Sequence, residues 1–222
     1  SLASNAIKDC PVFGGVIGPF SLAGRLFDIT KIIIAARRNP HMIHSLLAKC
    51  TEFIKEYVKA FKETGVNGVI MSEPAAGLLS PKLCQEFSSD YIKQIVDEVQ
   101  DDSFIIMLHN CGHVEKLVPS MLSTGCKAYH FGNAVDMLSI LPQMPWGTVA
   151  FGNIDPSTVM KIGTPETVKE KTLELLEKTA VYKNYVLSTG CDIPPGTPVE
   201  NVDAFFEALK IFNNTIIYGQ SA

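Results

Sequence analysis

A histidine and a cysteine two positions apart, His109 and Cys111, close the run Phe104-Ile105-Ile106-Met107-Leu108-His109-Asn110-Cys111-Gly112. The apolar, β-branched start of that run reads as a strand, and alternate residues of a strand share a face. His109 and Cys111 therefore project together while Asn110 points the other way. An imidazole and a soft thiolate side by side suit zinc, which accepts both. A third ligand has to come from elsewhere in the chain. Cys191 supplies one in Leu187-Ser188-Thr189-Gly190-Cys191-Asp192, where another apolar strand ends. The expectation is a three-ligand zinc held by His109, Cys111 and Cys191, its fourth position open for a substrate.

The elements that must position these residues follow from the alternation of apolar runs and breakers. Strands are expected over 10–20, 68–74, 104–112, 127–133, 148–156 and 185–191. Helices are expected over 23–64 (divided at Asn39-Pro40), 80–100, 114–123, 134–143, 164–179 and 199–212. Ser80-Pro81 and Thr164-Pro165 are N-cap and first-turn signatures. The residue before Pro40 leaves the helical region. Six strands of buried type alternate with helices, and no hairpin turn joins neighbours, which specifies a parallel α/β sheet with right-handed crossovers.

Glu73, His109, Cys111, Asn133, Asn153, Asp155 and Cys191 all stand at or just after the C-terminal ends of these strands. That is where a (β/α)8 TIM barrel carries its chemistry. Closing such a barrel takes eight strands, so either the sheet is open or the 222 residues are the C-terminal part of a single barrel domain, about six βα units, which is the expectation.

Composition removes several function classes. A formal net charge of -4 argues against binding nucleic acid or anionic membrane through bulk charge. The longest apolar stretch, from Ile29, is interrupted by Lys31 and is too short to span a bilayer. Six cysteines are scattered without a disulfide framework, as thiols of a soluble, cytoplasmic protein would be. Cys10, Cys50, Cys84 and Cys126 are expected to be inert, His113 to flank a helix start, His130 to pack locally in its strand, and His41 and His44 to be solvated.

Four segments together resemble the uroporphyrinogen decarboxylase superfamily: Gly18-Pro19-Phe20-Ser21-Leu22, Glu73-Pro74-Ala75-Ala76-Gly77, Gly152-Asn153-Ile154-Asp155-Pro156, and the stretch from Gly190-Cys191-Asp192 through Phe206. Within it, His109-x-Cys111-Gly112 with Cys191 is similar to the zinc-dependent methylcobalamin:coenzyme M methyltransferase branch. The resemblance implies a TIM barrel preceded by an N-terminal segment. It also implies a zinc ion on His109, Cys111 and Cys191, a corrinoid (methylcobalamin) as methyl donor carried by a corrinoid protein, and a small thiol such as coenzyme M as acceptor. A homodimer is compatible with it; nucleic acid and membrane partners are not implied.

The metal-free decarboxylases of the superfamily have a tyrosine where Arg25 is placed here and a histidine in the place of Cys191, which moves the reading towards methyl transfer. Decarboxylation and a non-catalytic corrinoid- or partner-binding role are the alternatives. For the transferase, Glu73 is the candidate catalytic group, as acceptor of the thiol proton or as a displaceable fourth ligand. Arg25, Asn153 and Asp192 are the candidates for binding substrate. Three of these have a competing structural role: a buried ion pair for Glu73, turn formation for Asn153 with Asp155, and loop capping for Asp192.

Overall fold

Asn67 ties the N-terminal ends of the first three strands together. Its side-chain Oδ1 accepts from Val12 N at 2.8 Å, its backbone N–H donates to Val12 O at 2.8 Å, and its carbonyl accepts from Ile105 N at 3.1 Å. The computed structural model describes residues 2–219, with side chains as far as 215. The elements in order are α1 (Leu2–Ala6), β1 (Phe13–Ile17), α2 (Pro19–Phe27), α3 (Ile29–Arg38), α4 (Pro40–Glu63), β2 (Gly68–Ser72), α5 (Pro81–Cys84), α6 (Asp90–Val99), β3 (Ile105–Asn110), α7 (Val118–Leu122), β4 (Ala128–Phe131), α8 (Met137–Ile140), β5 (Val149–Ile154), α9 (Pro165–Thr179), β6 (Tyr185–Thr189) and α10 (Val199–Gly219). The six strands follow one another in the sheet in sequence order. The fold is parallel α/β of TIM-barrel type.

The chain divides into two compact units, Ser1–His130 and Phe131–Ala222. In the first, β1, β2 and β3 pair in parallel, with Ile17 opposite Ser72 and Ser72 opposite His109. That register brings the C-terminal ends of the three strands level. α2, α4 and α6 cover the strands, burying Phe20, Ile43, Leu47, Ile54, Val58, Ile92 and Ile95. In the second unit β5 pairs with β6 in parallel, Ile154 opposite Thr189. A core of Ile154, Met160, Val168, Ala204 and Phe205 fills the space under α9 and α10.

Two expectations need correction here. The helical region after β1 breaks a second time, at Asp28, whose φ is 82°. The Asp28 carboxylate accepts from Thr30 N and Lys31 N at 3.0 Å, so a side-chain cap starts α3 and compensates an uncommon backbone conformation. The expected 114–123 helix is short and two-part, a 3₁₀ turn at Glu115–Leu117 leading into α7. In α10, Phe205 is buried and Phe206 is 59 % exposed, because the inward face runs through Ala204, Phe205 and Ala208. Among the described residues, no helix is long and apolar enough to cross a membrane.

Candidate active site

The level strand ends set the site of the first unit. Gly18 N–H donates to Ser72 O at 2.7 Å, and Glu73 N–H to His109 O at 2.8 Å, continuing the ladder one residue beyond each strand. Asn110 turns away from His109, as alternation requires, and its Nδ2 donates to Glu73 O at 2.8 Å. His109 is buried and Cys111 half-buried. Cys111 Sγ lies 3.0 Å from His109 Nε2. Two soft donors thus converge at the end of β3, as the spacing implied.

A cavity of about 770 Å³ opens beside them, with Cys111 and His113 on one wall, Ser21 and Arg25 from α2 on another, and Ile29, Pro74 and Leu78 supplying apolar surface. His113 is exposed in the Gly112–Val114 loop and lines this cavity without starting a regular α-helix. Arg25 is exposed, and among the described residues it forms no ion pair. The loop that carries Cys111 fits closely under Gly77, where a Cβ would come 2.6 Å from Cys111 O.

Glu73 is fully buried, at 0 % exposure. Its Oε2 accepts from Phe20 N at 3.0 Å and its Oε1 from Ser21 N at 2.5 Å. Ser21 Oγ donates to Oε1 through a short hydrogen bond and accepts from Ala75 N at 3.1 Å. The carboxyl group therefore satisfies amides at the start of α2 that have no partner within the helix. Burial pushes its pKa up to about 7, against the pull of the hydrogen bonds from Ser21 and Phe20. The buried ion pair weighed from sequence is absent among the described residues; amides and a hydroxyl take its place.

Two histidines hold contacts that sequence reasoning missed. His130 Nδ1 lies 2.6 Å from His109 Nδ1, so the ring packs on a candidate ligand rather than merely within its strand. His44 is half-buried, stacks on Phe87 with ring centroids 4.7 Å apart, and meets Tyr91 OH at 2.8 Å through Nδ1. Nothing local in the sequence marks either contact, since each joins residues of different elements. Of the other thiols, Cys50, Cys84 and Cys126 are buried and Cys10 is exposed. Burial pushes Cys84 up to about 11 and Cys126 to about 12, which keeps both protonated.

In the second unit Cys191 follows β6 and is half-buried. Its loop is tied down by Gly190 N–H to Ile154 O at 2.7 Å and by Thr189 Oγ1 to Cys191 O at 2.8 Å. Asp192 is exposed beside it. Asn153 braces the backbone after β4, its Nδ2 donating to Gly132 O at 3.0 Å and Val135 O at 2.7 Å. Asp155 accepts from Ser157 N at 2.7 Å, Thr158 N at 2.8 Å and Asn133 Nδ2 at 3.0 Å, the turn-forming bonds its position predicts. Asn153 and Asp155 are thus engaged in holding loop backbone, and Asn133 holds the Asp155 carboxylate.

Comparison with known proteins places this geometry. The model of the uroporphyrinogen decarboxylase (URO-D) family matches residues 1–212. A uroporphyrinogen decarboxylase from Prochlorococcus marinus is 30% identical over 97% of this chain and 62% of its own length. A methylcobamide:CoM methyltransferase, MtbA, from Methanosarcina acetivorans is 29% identical over 91% of this chain and 59% of its own length. A solved methyltransferase structure from Methanosarcina mazei superposes with a TM-score of 0.85 at 23% identity, over 96% of this chain and 62% of that one; at that identity it shows the shared fold. The chain spans about three fifths of the length of the relatives it matches.

Proposed function

The chain belongs to the uroporphyrinogen decarboxylase family, and within it we propose a methyltransferase that moves a methyl group from a methylated corrinoid protein to a small thiol, with His109, Cys111 and Cys191 holding a zinc ion. The observation that supports this reading best is the pairing of His109 Nε2 with Cys111 Sγ at 3.0 Å beside a cavity with a cationic wall residue. A donor set of one imidazole and two thiolates, as the sequence nominates, fits zinc. On this reading the chain is the C-terminal part of one barrel domain.

When bound, zinc would keep the acceptor sulfur as a thiolate near neutral pH, and it is redox-inert beside a reducing corrinoid. The protein's own groups do the rest. Cys111 and Cys191 as thiolates cancel the charge of the ion, which leaves the acceptor sulfur electron-rich. Arg25 faces the cavity and holds an anionic tail of the acceptor. The apolar wall of Ile29, Pro74 and Leu78 keeps water from competing for the methyl group. Ser21 lines the cavity and donates to Glu73, so a proton released by the thiol passes through Ser21 Oγ to a carboxylate whose pKa lies about 7, a value suited to general-base work at neutral pH. Asp192 orients the Cys191 loop, and Asn153 holds the neighbouring backbone that frames the substrate.

The test is metal analysis of the purified protein together with methyl transfer from methylcobalamin to coenzyme M. The proposal expects about one zinc per chain, consistent with a mononuclear site, with both metal and transfer lost in Cys111→Ala and Cys191→Ala. Decarboxylation of uroporphyrinogen by zinc-free protein would replace this reading with the other activity found among the relatives. Retained zinc without transfer to any thiol would assign a binding role.

A further inference from the structure

His130 stands half-buried on β4, and the reaction outlined above gives it no task. Its ring lies 4.7 Å from that of His109, centroid to centroid, tilted by 52°. The two Nδ1 atoms are 2.6 Å apart, while the other nitrogen of His109, Nε2, faces Cys111 Sγ at 3.0 Å. A neutral imidazole has one N–H and one lone pair. Two ring nitrogens this close must share a single hydrogen, since two lone pairs or two N–H groups would repel.

That leaves two assignments. If His130 is the donor, His109 carries its proton on Nε2 and has no lone pair to offer beside Cys111. If His109 is the donor, its Nε2 carries a lone pair directed at the space shared with the thiol. Only the second is compatible with His109 as a ligand through Nε2.

We infer that His130 is the positioning residue of the metal site: its Nδ1 accepts the Nδ1–H of His109 and fixes the tautomer and ring plane in which Nε2 can bind zinc, an inference that rests on the function proposed above. The acceptor usually found behind a ligating histidine is a carboxylate, a backbone carbonyl or water. An imidazole here has a chemical consequence. Two cysteinates already neutralise a divalent ion, and a carboxylate behind His109 would make the site anionic. A neutral acceptor orients the ligand without adding charge.

The experiment measures zinc affinity of the whole chain by competition with a chromogenic chelator, for the parent, His130→Phe and His130→Asn. It also measures the nitrogen-15 NMR spectrum of the zinc-loaded parent. We expect His130→Phe to bind zinc 10–100-fold more weakly, the range for loss of such a partner. His130→Asn, which keeps an acceptor near the Nδ1 position, stays within a few-fold of the parent. In the parent, the hydrogen is expected on His109 Nδ1, with scalar coupling across the hydrogen bond to His130 Nδ1. Affinity unchanged in His130→Phe overturns the inference, as does a proton found on His130 Nδ1. The NMR arm decides the matter even if His130→Phe fails to fold. A parent that binds no zinc sinks the proposed function as well, whereas a parent that binds zinc with His130→Phe unaffected sinks this inference alone.

Discussion

Gly18 packs directly on the carboxylate of Glu73, so that a Cβ at position 18 would collide with Oε2 and with the carboxyl carbon behind it. This contact explains why a glycine stands between β1 and α2. The chain has to bring the first amides of α2 within reach of a buried acid, and any side chain at position 18 would stand between them. Gly18→Ala should therefore lower stability by about 1–3 kcal/mol, the usual cost of forcing an extra carbon into a packed interior. Denaturant midpoints at constant m-value check it, and an unchanged midpoint would mean that the carboxylate has room to move.

The same carboxylate gives the fold a pH dependence of definite sign. Burial raises the Glu73 pKa from 4.5 to about 7 in the folded chain. Between these values the folded protein holds a proton that the unfolded chain has already released, so stability falls as pH rises through this window and levels off above it. The loss is on the order of 3 kcal/mol, from the free energy equivalent of a pKa difference. Glu73→Gln cannot ionise and should lack that slope, although its amide also leaves an α2 donor without an acceptor and offsets the whole curve. Chemical denaturation at a series of pH values separates slope from offset.

Gly77 makes a second test of close packing, this time at Cys111. A Cβ there would approach Cys111 O to 2.6 Å, and a backbone atom cannot swing aside as a side-chain end could. Gly77→Ala should displace the Cys111 loop and weaken zinc binding at least tenfold while leaving the far-ultraviolet circular dichroism unchanged. Zinc affinity equal to the parent's would show that the loop does not set the ligand position.

Arg25 faces the cavity with no carboxylate partner among the described residues. On the proposed function, Arg25→Ala raises KM about tenfold for an anionic thiol, equivalent to about 1.4 kcal/mol, and changes neither kcat nor zinc content. The KM for an uncharged thiol should stay as it is. An equal rise for both would place the anion's partner elsewhere.

Asn201 carries a structural prediction for the second unit. It is 1 % exposed, and its Nδ2 donates to Met160 O and Gly163 O at 2.8 Å each. Asn201→Ala leaves two carbonyls without this donor and should cost about 2 to 3 kcal/mol, read from the thermal or denaturant midpoint.

Local order was legible in the amino-acid sequence because its causes are local. Alternation within one strand placed His109 and Cys111 on a common face, Pro40 and the Ser80 and Thr164 caps marked helix boundaries, and apolar runs between breakers located six strands. The structure bears these out: Ser80 Oγ accepts from Leu83 N at 3.4 Å and Thr164 Oγ1 from Thr167 N at 3.3 Å. Asp28 escaped because its cap overrides a continuous helical pattern.

What only the tertiary structure decided are the partners brought together across elements. The register of β1, β2 and β3 is settled by how the strands pair with one another and pack under their helices, and no single strand's residues encode it. From that register follows the Glu73 carboxylate beneath the start of α2, while the contact of His130 with His109 joins two different strands across 21 residues of sequence. Residue type and spacing can nominate a ligand; the proton on its far side depends on which neighbour the folded sheet places there.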